Sequence, residues 1–166
     1  MRVLAAFCLV ALGLAQPWMD LRDDPSTRAA KLLANLTLDE KLHFFHGSGS
    51  GYVGNVEAQR DGAIPALTLN DGPQGFRAPR SLAGTSTAWP SGLTMAASWD
   101  TSLMKEWGVG MGKEFYAKGS NVQLGPGLCL ARVPRNGRNF EYLSGEDPYL
   151  GYALVKPVVS GIQSER

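Results

Sequence analysis

Ile64-Pro65-Ala66-Leu67-Thr68-Leu69 runs into Asn70-Asp71-Gly72-Pro73, an apolar stretch that breaks into a polar, glycine-bearing turn. Residues 64–69 predict a short buried strand, and residues 70–73 the turn that ends it. The same change of texture recurs downstream. Asn121-Val122-Gln123-Leu124 predicts a strand that stops at Gly125-Pro126-Gly127. A loop with Arg132, Arg135 and Arg138 follows, carrying the turn Asn136-Gly137-Arg138-Asn139-Phe140-Glu141. Charged groups held just past strand ends are a common way for α/β proteins to grip polar ligands. Asp100 is placed to cap a helix reaching about Lys118, with Leu103, Trp107, Met111 and Phe115 spaced by four. Gly119 sits where a left-handed C-cap belongs, and Thr94–Ala97 reads as a further short strand.

Working outward, Asp24-Pro25 predicts a helix start, with Ala29, Ala30, Leu32, Leu33 and Leu36 as its apolar face. Thr37-Leu38-Asp39-Glu40 has the form of a capping box for a second helix reaching about Phe45 and stopping at Gly47. Residues 47–62 read as loop, and residues 76–92 as irregular with a turn at Trp89-Pro90-Ser91-Gly92. Asp147-Pro148 opens a last helix in which Pro157 is expected to cause a kink. Strands alternating with helices indicate βα units and an α/β class. Three strands are too few to close a barrel of eight, so the pattern is that of the opening part of a larger α/β domain.

Composition is that of a globular chain: 166 residues, 44% hydrophobic and 19% charged. The net charge of +1 indicates no polyanionic partner, so nucleic acid is not expected. Met1-Arg2 followed by the apolar run 3–14 and a small residue at Ala15 reads as a secretory signal covering residues 1–15, too short for a membrane span. Residues 16–166 then form the mature chain, expected to be secreted with no membrane association. Removal of the signal would take Cys8 and leave Cys129 alone, which excludes an intrachain disulfide; a lone thiol of this kind is expected to be a buried hydrophobe. Asn35-Leu36-Thr37 is a glycosylation sequon, consistent with export.

The candidate chemistry has to be weighed against plainer readings. Asp71 either accepts hydrogen bonds from sugar hydroxyls or is a turn aspartate before Gly72-Pro73, and the pattern leaves both open. Arg138 either forks onto a ligand or forms a structural ion pair with Glu141 or Glu146. His43 and His46 lie on a helix end without a further histidine, which favours an exposed face over a metal pair. The run Gly47-Ser48-Gly49-Ser50-Gly51 lacks the Gly-Lys-Ser/Thr of a phosphate cradle. Gly108, Gly110 and Gly112 fall inside the predicted long helix, where they favour close helix packing over dinucleotide binding. The two histidines lie too near the N-terminus, and too close together, for a Ser-His-Asp set to be argued.

An ordered series of segments from about residue 35 onward resembles the N-terminal barrel region of glycoside hydrolase family 3, particularly secreted β-glucosidases. The series comprises Leu36-Thr37-Leu38-Asp39-Glu40-Lys41, Tyr52-Val53-Gly54-Asn55, Ile64-Pro65-Ala66-Leu67 and Asn70-Asp71-Gly72-Pro73-Gln74-Gly75-Phe76-Arg77. It continues with Trp89-Pro90-Ser91-Gly92, Ala97-Ser98-Trp99-Asp100, Asn121-Val122-Gln123-Leu124-Gly125-Pro126, Gly137-Arg138-Asn139-Phe140-Glu141 and Gly145-Glu146-Asp147-Pro148-Tyr149. The resemblance implies a partial TIM-type (β/α)8 barrel. It also implies a cofactor-free, retaining hydrolase of terminal non-reducing β-D-glucosyl residues, in which two carboxyl groups act as nucleophile and acid/base.

Carried over by motif, Asp71 resembles the aspartate that binds hydroxyls of the glucosyl ring at the −1 subsite. Arg138 resembles the arginine that helps hold that ring. Arg77 and Glu141 match motif positions too, and Glu141 is expected to orient Arg138 from behind. The resemblance places the nucleophile in a Ser-Asp-Trp-like segment, the Lys-His sugar-gripping pair after residue 166 and the acid/base in a following domain, so no catalytic carboxylate is expected in these 166 residues. These residues alone are then expected to be inactive; a non-catalytic sugar-binding or regulatory module is the alternative. In many fungal relatives the positions of Tyr52 and Thr68 are cysteines, and Phe140 stands where tryptophan is frequent.

Overall fold

The computed structural model describes residues 16–47 and 53–165. The signal stretch 1–15, the glycine-serine run from Ser48 to Gly51 and Tyr52 lie outside the described residues. Five helices and three strands are present among the described residues: α1 (Pro25–Asn35), α2 (Leu38–Leu42), β1 (Gly54–Val56), β2 (Leu67–Asp71), α3 (Gly92–Ala96), α4 (Thr101–Ala117), β3 (Val122–Leu124) and α5 (Pro148–Ile162). The strands form one sheet in the order β1-β2-β3. β1 pairs antiparallel with β2, and β2 pairs parallel with β3 through Leu69↔Val122, Asn70↔Gln123 and Asp71↔Leu124. A parallel pair needs a long crossover, which α3 and α4 supply. Asp71 thereby stands at the C-terminal end of β2, the end from which barrel strands present functional groups.

Helix starts follow the local chemistry closely. Asp24 Oδ1 accepts from the backbone N–H of Ser26 and Thr27, Asp100 Oδ1 from Ser102 and Leu103, and Asp147 Oδ1 from Tyr149 and Leu150. Each aspartate satisfies two otherwise unpaired donors of a first turn, worth about 1 kcal/mol per cap. Gly119 closes α4 with φ 79°, a left-handed conformation that a Cβ disfavours. α5 continues for five residues beyond Pro157.

The core lies where α3, α4 and α5 meet. Met95, Ala96, Met104, Trp107, Met111, Leu143, Leu154 and Val158 are buried together. Gly108 and Gly112 of α4 and Gly161 of α5 explain how these two backbones come so close. A Cβ on Gly108 would stand 2.3 Å from the Val158 carbonyl oxygen, and one on Gly112 2.5 Å from that of Ile162. On the facing helix, a Cβ on Gly161 would stand 2.4 Å from the Lys105 carbonyl. Gly110 faces away from this seam and receives the Trp89 ring, which a Cβ would meet at 2.5 Å.

Several expectations need correction. Thr94–Ala97 is not a strand: Ser91 Oγ caps the N–H of Thr94 and starts α3, and Met95 and Ala96 are buried on its inner face. Residues 47–62 are not all loop, because Gly54-Asn55-Val56 pairs with β2; glycine and asparagine are poor strand formers, and the pairing is imposed by the neighbour. β2 starts at Leu67, later than expected, since Pro65 has no N–H to give a ladder, and Ile64 makes only an isolated bridge to Gln59. α2 ends at Leu42, with a 3₁₀ turn over His43–Phe45. α1 buries none of its residues. Cys129 is exposed, not a core hydrophobe, because it lies on the loop after β3.

Thr68 holds the two parallel strands together. Its hydroxyl donates to the Gly119 carbonyl at 2.8 Å and accepts from Asn121 N at 3.1 Å, while Asn121 Oδ1 accepts from Thr68 N at 2.8 Å.

The capping box of α2 gives a pH-dependent contact. Thr37 Oγ1 accepts from Glu40 N at 3.2 Å, and Glu40 Oε2 accepts from Thr37 N at 2.8 Å and from Arg60 Nη2 at 2.7 Å. The Arg60 hydrogen bond, followed by that from Thr37, lowers the Glu40 pKa from 4.5 to about 2. A depressed folded-state pKa contributes stability that is complete above 4.5 and is lost as pH falls through about 2. Amide-exchange protection of Thr37 and Glu40 is therefore expected to fall across that window, and in Glu40→Gln to lose this pH dependence; unchanged protection down to pH 2 would contradict the assignment.

Candidate functional site

The turn after β2 is built by close backbone approach. Gly75 N donates to the Gly72 carbonyl at 3.4 Å, and a Cβ on Gly72 would stand 2.1 Å from the Gly75 carbonyl and 2.6 Å from Phe115 Cζ. No other residue fits at Gly72 without moving the turn. Gly75 itself has φ 124°, and a Cβ there would stand 2.4 Å from the Thr87 carbonyl oxygen. Trp89 supports the turn from below: its N–H donates to Gln74 O at 3.0 Å, and its indole Nε1 donates to Glu114 Oε2 on α4 at 3.1 Å.

Opposite this turn, residues 139–141 form a 3₁₀ turn that the fold clamps. A Cβ on Gly92 would come 2.8 Å from the Glu141 carbonyl, and one on Gly127 3.0 Å from the same atom. Leu143 N donates to Gly127 O at 2.9 Å, and Asn139 Nδ2 donates to Val133 O at 2.9 Å.

Between the two turns lies an open cleft of about 250 Å³. One wall is Asp71, residues 72–75 and Arg77; the other is Arg138 and Glu141. All four residues singled out in the sequence therefore border one space. Asp71 and Arg77 pair loosely, with Nη1 to Oδ2 at 3.7 Å, and both side chains are substantially exposed. Arg138 and Glu141 pair tightly through Nε and Oε1. The Glu141 side chain is only 8% exposed against 72% for Arg138, so the carboxylate sits behind the guanidinium. That hydrogen bond, the Glu141 charge and, last, the more distant Asp71 charge hold the Arg138 pKa above its usual value. The cleft thus offers an open carboxylate as acceptor and a braced guanidinium as donor across from each other. That is a donor–acceptor pair suited to a polyhydroxylated ring.

Among the described residues no group of three His, Cys, Asp or Glu side chains could hold a metal ion. His43 and His46 rings stand 5.7 Å apart with no third ligand. Sequence reasoning passed over Asn70, the residue before Asp71, which is fully buried with both amide atoms engaged. The signal available was a polar residue at an inward strand position.

A family model for the glycosyl hydrolase family 3 N-terminal domain matches residues 50–166. The chain belongs to glycoside hydrolase family 3. Probable beta-glucosidase E of Aspergillus clavatus is 39% identical over 141 residues, covering 82% of this chain and 13% of that protein. Thermostable beta-glucosidase B of Acetivibrio thermocellus is 36% identical, covering 81% of this chain and 18% of that protein. Among solved structures, the β-glucosidase DesR of Streptomyces venezuelae, in complex with D-glucose, superposes with a TM-score of 0.76 at 35% identity, over 83% of this chain and 18% of that one. β-Glucosidase 3B of Thermotoga neapolitana, in complex with α-D-glucose, gives 0.75 at 32% identity, over 83% of this chain and 22% of that one. The family 3 chain described here thus spans about a fifth or less of the length of these relatives. Its β2–α3–α4–β3 unit is part of the family's TIM-type barrel.

Proposed function

We propose that this chain supplies part of the sugar-binding wall of a secreted, retaining β-glucosidase acting on terminal β-D-glucosyl residues of oligosaccharides released from polysaccharides. The observation that carries the reading is the convergence of Asp71, Arg77, Arg138 and Glu141 on one cleft at the C-terminal end of β2. In this reading Asp71 accepts hydrogen bonds from two ring hydroxyls, and Arg138, braced by Glu141, donates to a third. Arg77 lines the same wall, its Nη1 3.7 Å from Asp71 Oδ2. Asp71 and Glu141 grip or brace; neither attacks the anomeric carbon. The nucleophile and acid/base come from chain beyond these residues, and hydrolysis proceeds through a glycosyl–enzyme intermediate.

The test is an assay of the enzyme carrying this chain with an aryl β-D-glucoside, following the anomeric proton of the released sugar. β-Glucose as first product is expected, and α-glucose as first product, or no hydrolysis, would overturn the reading. Residues 16–166 alone are expected to release no aryl alcohol, since they hold no nucleophile of the retaining pair.

A further inference from the structure

We infer that Asn70 is a positioning residue that sets the distance and angle between Asp71 and Arg77; the inference rests on the reading of the cleft as a sugar site. Asn70 occupies the penultimate position of β2 and is 1% exposed. Its side chain leaves the strand on the face opposite to that of Asp71, so it cannot itself reach a ligand in the cleft. Instead it reaches across the loop. Its Oδ1 accepts from Arg77 N at 3.0 Å, and its Nδ2 donates to Arg77 O at 3.3 Å. One partner is a donor and the other an acceptor on the same residue, so only one orientation of the amide satisfies both.

The same Arg77 N–H is shared with the Asp71 carbonyl at 3.3 Å. Residues 71–77 are therefore closed into a ring whose two ends are the two charged residues of this wall. The base of the ring is pinned from the neighbouring strand, where Gln123 Nε2 donates to Gly72 O at 3.1 Å. Asp71 and Arg77 make only a loose 3.7 Å contact through their side chains. Their mutual placement is consequently a property of the backbone ring, and Asn70 is the side chain that fastens it. Alanine at position 70 would strip the second tie from Arg77 N and leave Arg77 O without this partner. Aspartate would keep the acceptor for Arg77 N and turn a second acceptor toward Arg77 O.

A group that places the reacting ring is felt in rate even when its contact with the ring is indirect, and displacements near 1 Å can cost about a hundredfold. In the enzyme carrying this chain, Asn70→Ala is expected to lower kcat/KM by about tenfold to a hundredfold, with the inhibition constant of D-glucose rising in parallel. Asn70→Asp is expected to fall at least as far as Asn70→Ala, because a buried carboxylate oxygen would face the Arg77 carbonyl without a proton to share. The deciding readout is a double-mutant cycle with Asp71→Ala, each protein assayed well below its own melting temperature. In the Asp71→Ala background the Asn70→Ala change is expected to cost less than about twofold, because the group it positions is gone. A residue that merely supports folding would cost the same factor in both backgrounds, and that result would overturn the inference, as would wild-type kinetics for Asn70→Ala.

Should both variants fail to fold, the unmutated protein gives the answer. Slow solvent exchange is expected for the Asn70 side-chain amide and the Arg77 backbone amide, and fast exchange of either would refute the tie. If Asp71→Ala alone leaves activity intact, the sugar-site reading fails; if it abolishes activity while Asn70→Ala does not, only the positioning role fails.

Discussion

Replacing Asp71 by alanine in the enzyme carrying this chain is expected to lower kcat/KM by about a hundredfold to ten-thousandfold. Hydrogen bonds to a charged group are worth about 1.5–3 kcal/mol each. Two of them lost from the transition state give roughly 3–6 kcal/mol, and each 1.36 kcal/mol is about a factor of ten. The loss should fall on kcat as well as on KM, because hydroxyl contacts that shorten as the ring flattens are realised mainly in the transition state. The fold should survive. Asp71 is partly exposed, its only ion pair among the described residues is the 3.7 Å contact with Arg77, and its backbone bonds to β3 do not involve the side chain. An exposed, loosely held pair of this kind contributes little to stability. Unchanged kcat/KM in a folded Asp71→Ala protein would remove Asp71 from the site. A Tm fall of many degrees would give it the other role that its sequence context allows, that of a turn residue.

Local chemistry made the helices legible, and long-range assembly hid part of the sheet and the geometry of the site. Asp24, Thr37 with Glu40, Asp100 and Asp147 each satisfy donors within three residues of themselves, so their sequence spacing already contains the contact. Two of the three α4 glycines were legible for a similar reason: in a helix of regular pitch, Gly108 and Gly112 necessarily share a face, whereas Gly110, expected to pack a helix too, receives Trp89 instead. β1 was not legible, because two of its three residues, Gly54 and Asn55, disfavour strands, and the segment is held by β2. Thr94–Ala97 misled because a short apolar run fits a strand or a buried helical turn equally well. Ser91 settles the matter through its cap on Thr94 N. The site divides the same way. Asp71 and Arg138 stood out as charges beside strand ends, but their convergence depends on Gly92 and Gly127 both abutting the Glu141 carbonyl. No spacing rule carries that, and the sequence likewise does not reveal what Asn70 binds, because its partner is the backbone of Arg77.

Arg138→Lys tests the opposite wall and separates charge from shape. A lysine keeps the positive charge, so any effect that charge alone provides, such as attraction of an electron-rich ring, should persist. What it cannot keep is the fixed fork in which one edge is held and another remains free. Here Nε is committed to Glu141, whose carboxylate is buried behind the arginine, while the arginine side chain remains largely exposed to the cleft. An ammonium group must choose: it either stays with Glu141 and withdraws from the ring, or reaches for the ring and leaves a buried carboxylate with a poorer partner. Either choice is expected to reduce kcat/KM by about tenfold to a hundredfold, one or two hydrogen bonds of transition-state contact. Glu141→Gln should reproduce part of that loss with Arg138 untouched, since the brace is weakened while the donor remains. Titration with D-glucose then distinguishes the two: Arg138→Lys should weaken binding through the lost donor, and Glu141→Gln should do so only to the extent that Arg138 wanders. Wild-type kinetics for Arg138→Lys would mean that only charge matters at this position, and the Arg138–Glu141 pair would then be a structural contact between the 3₁₀ turn and its loop.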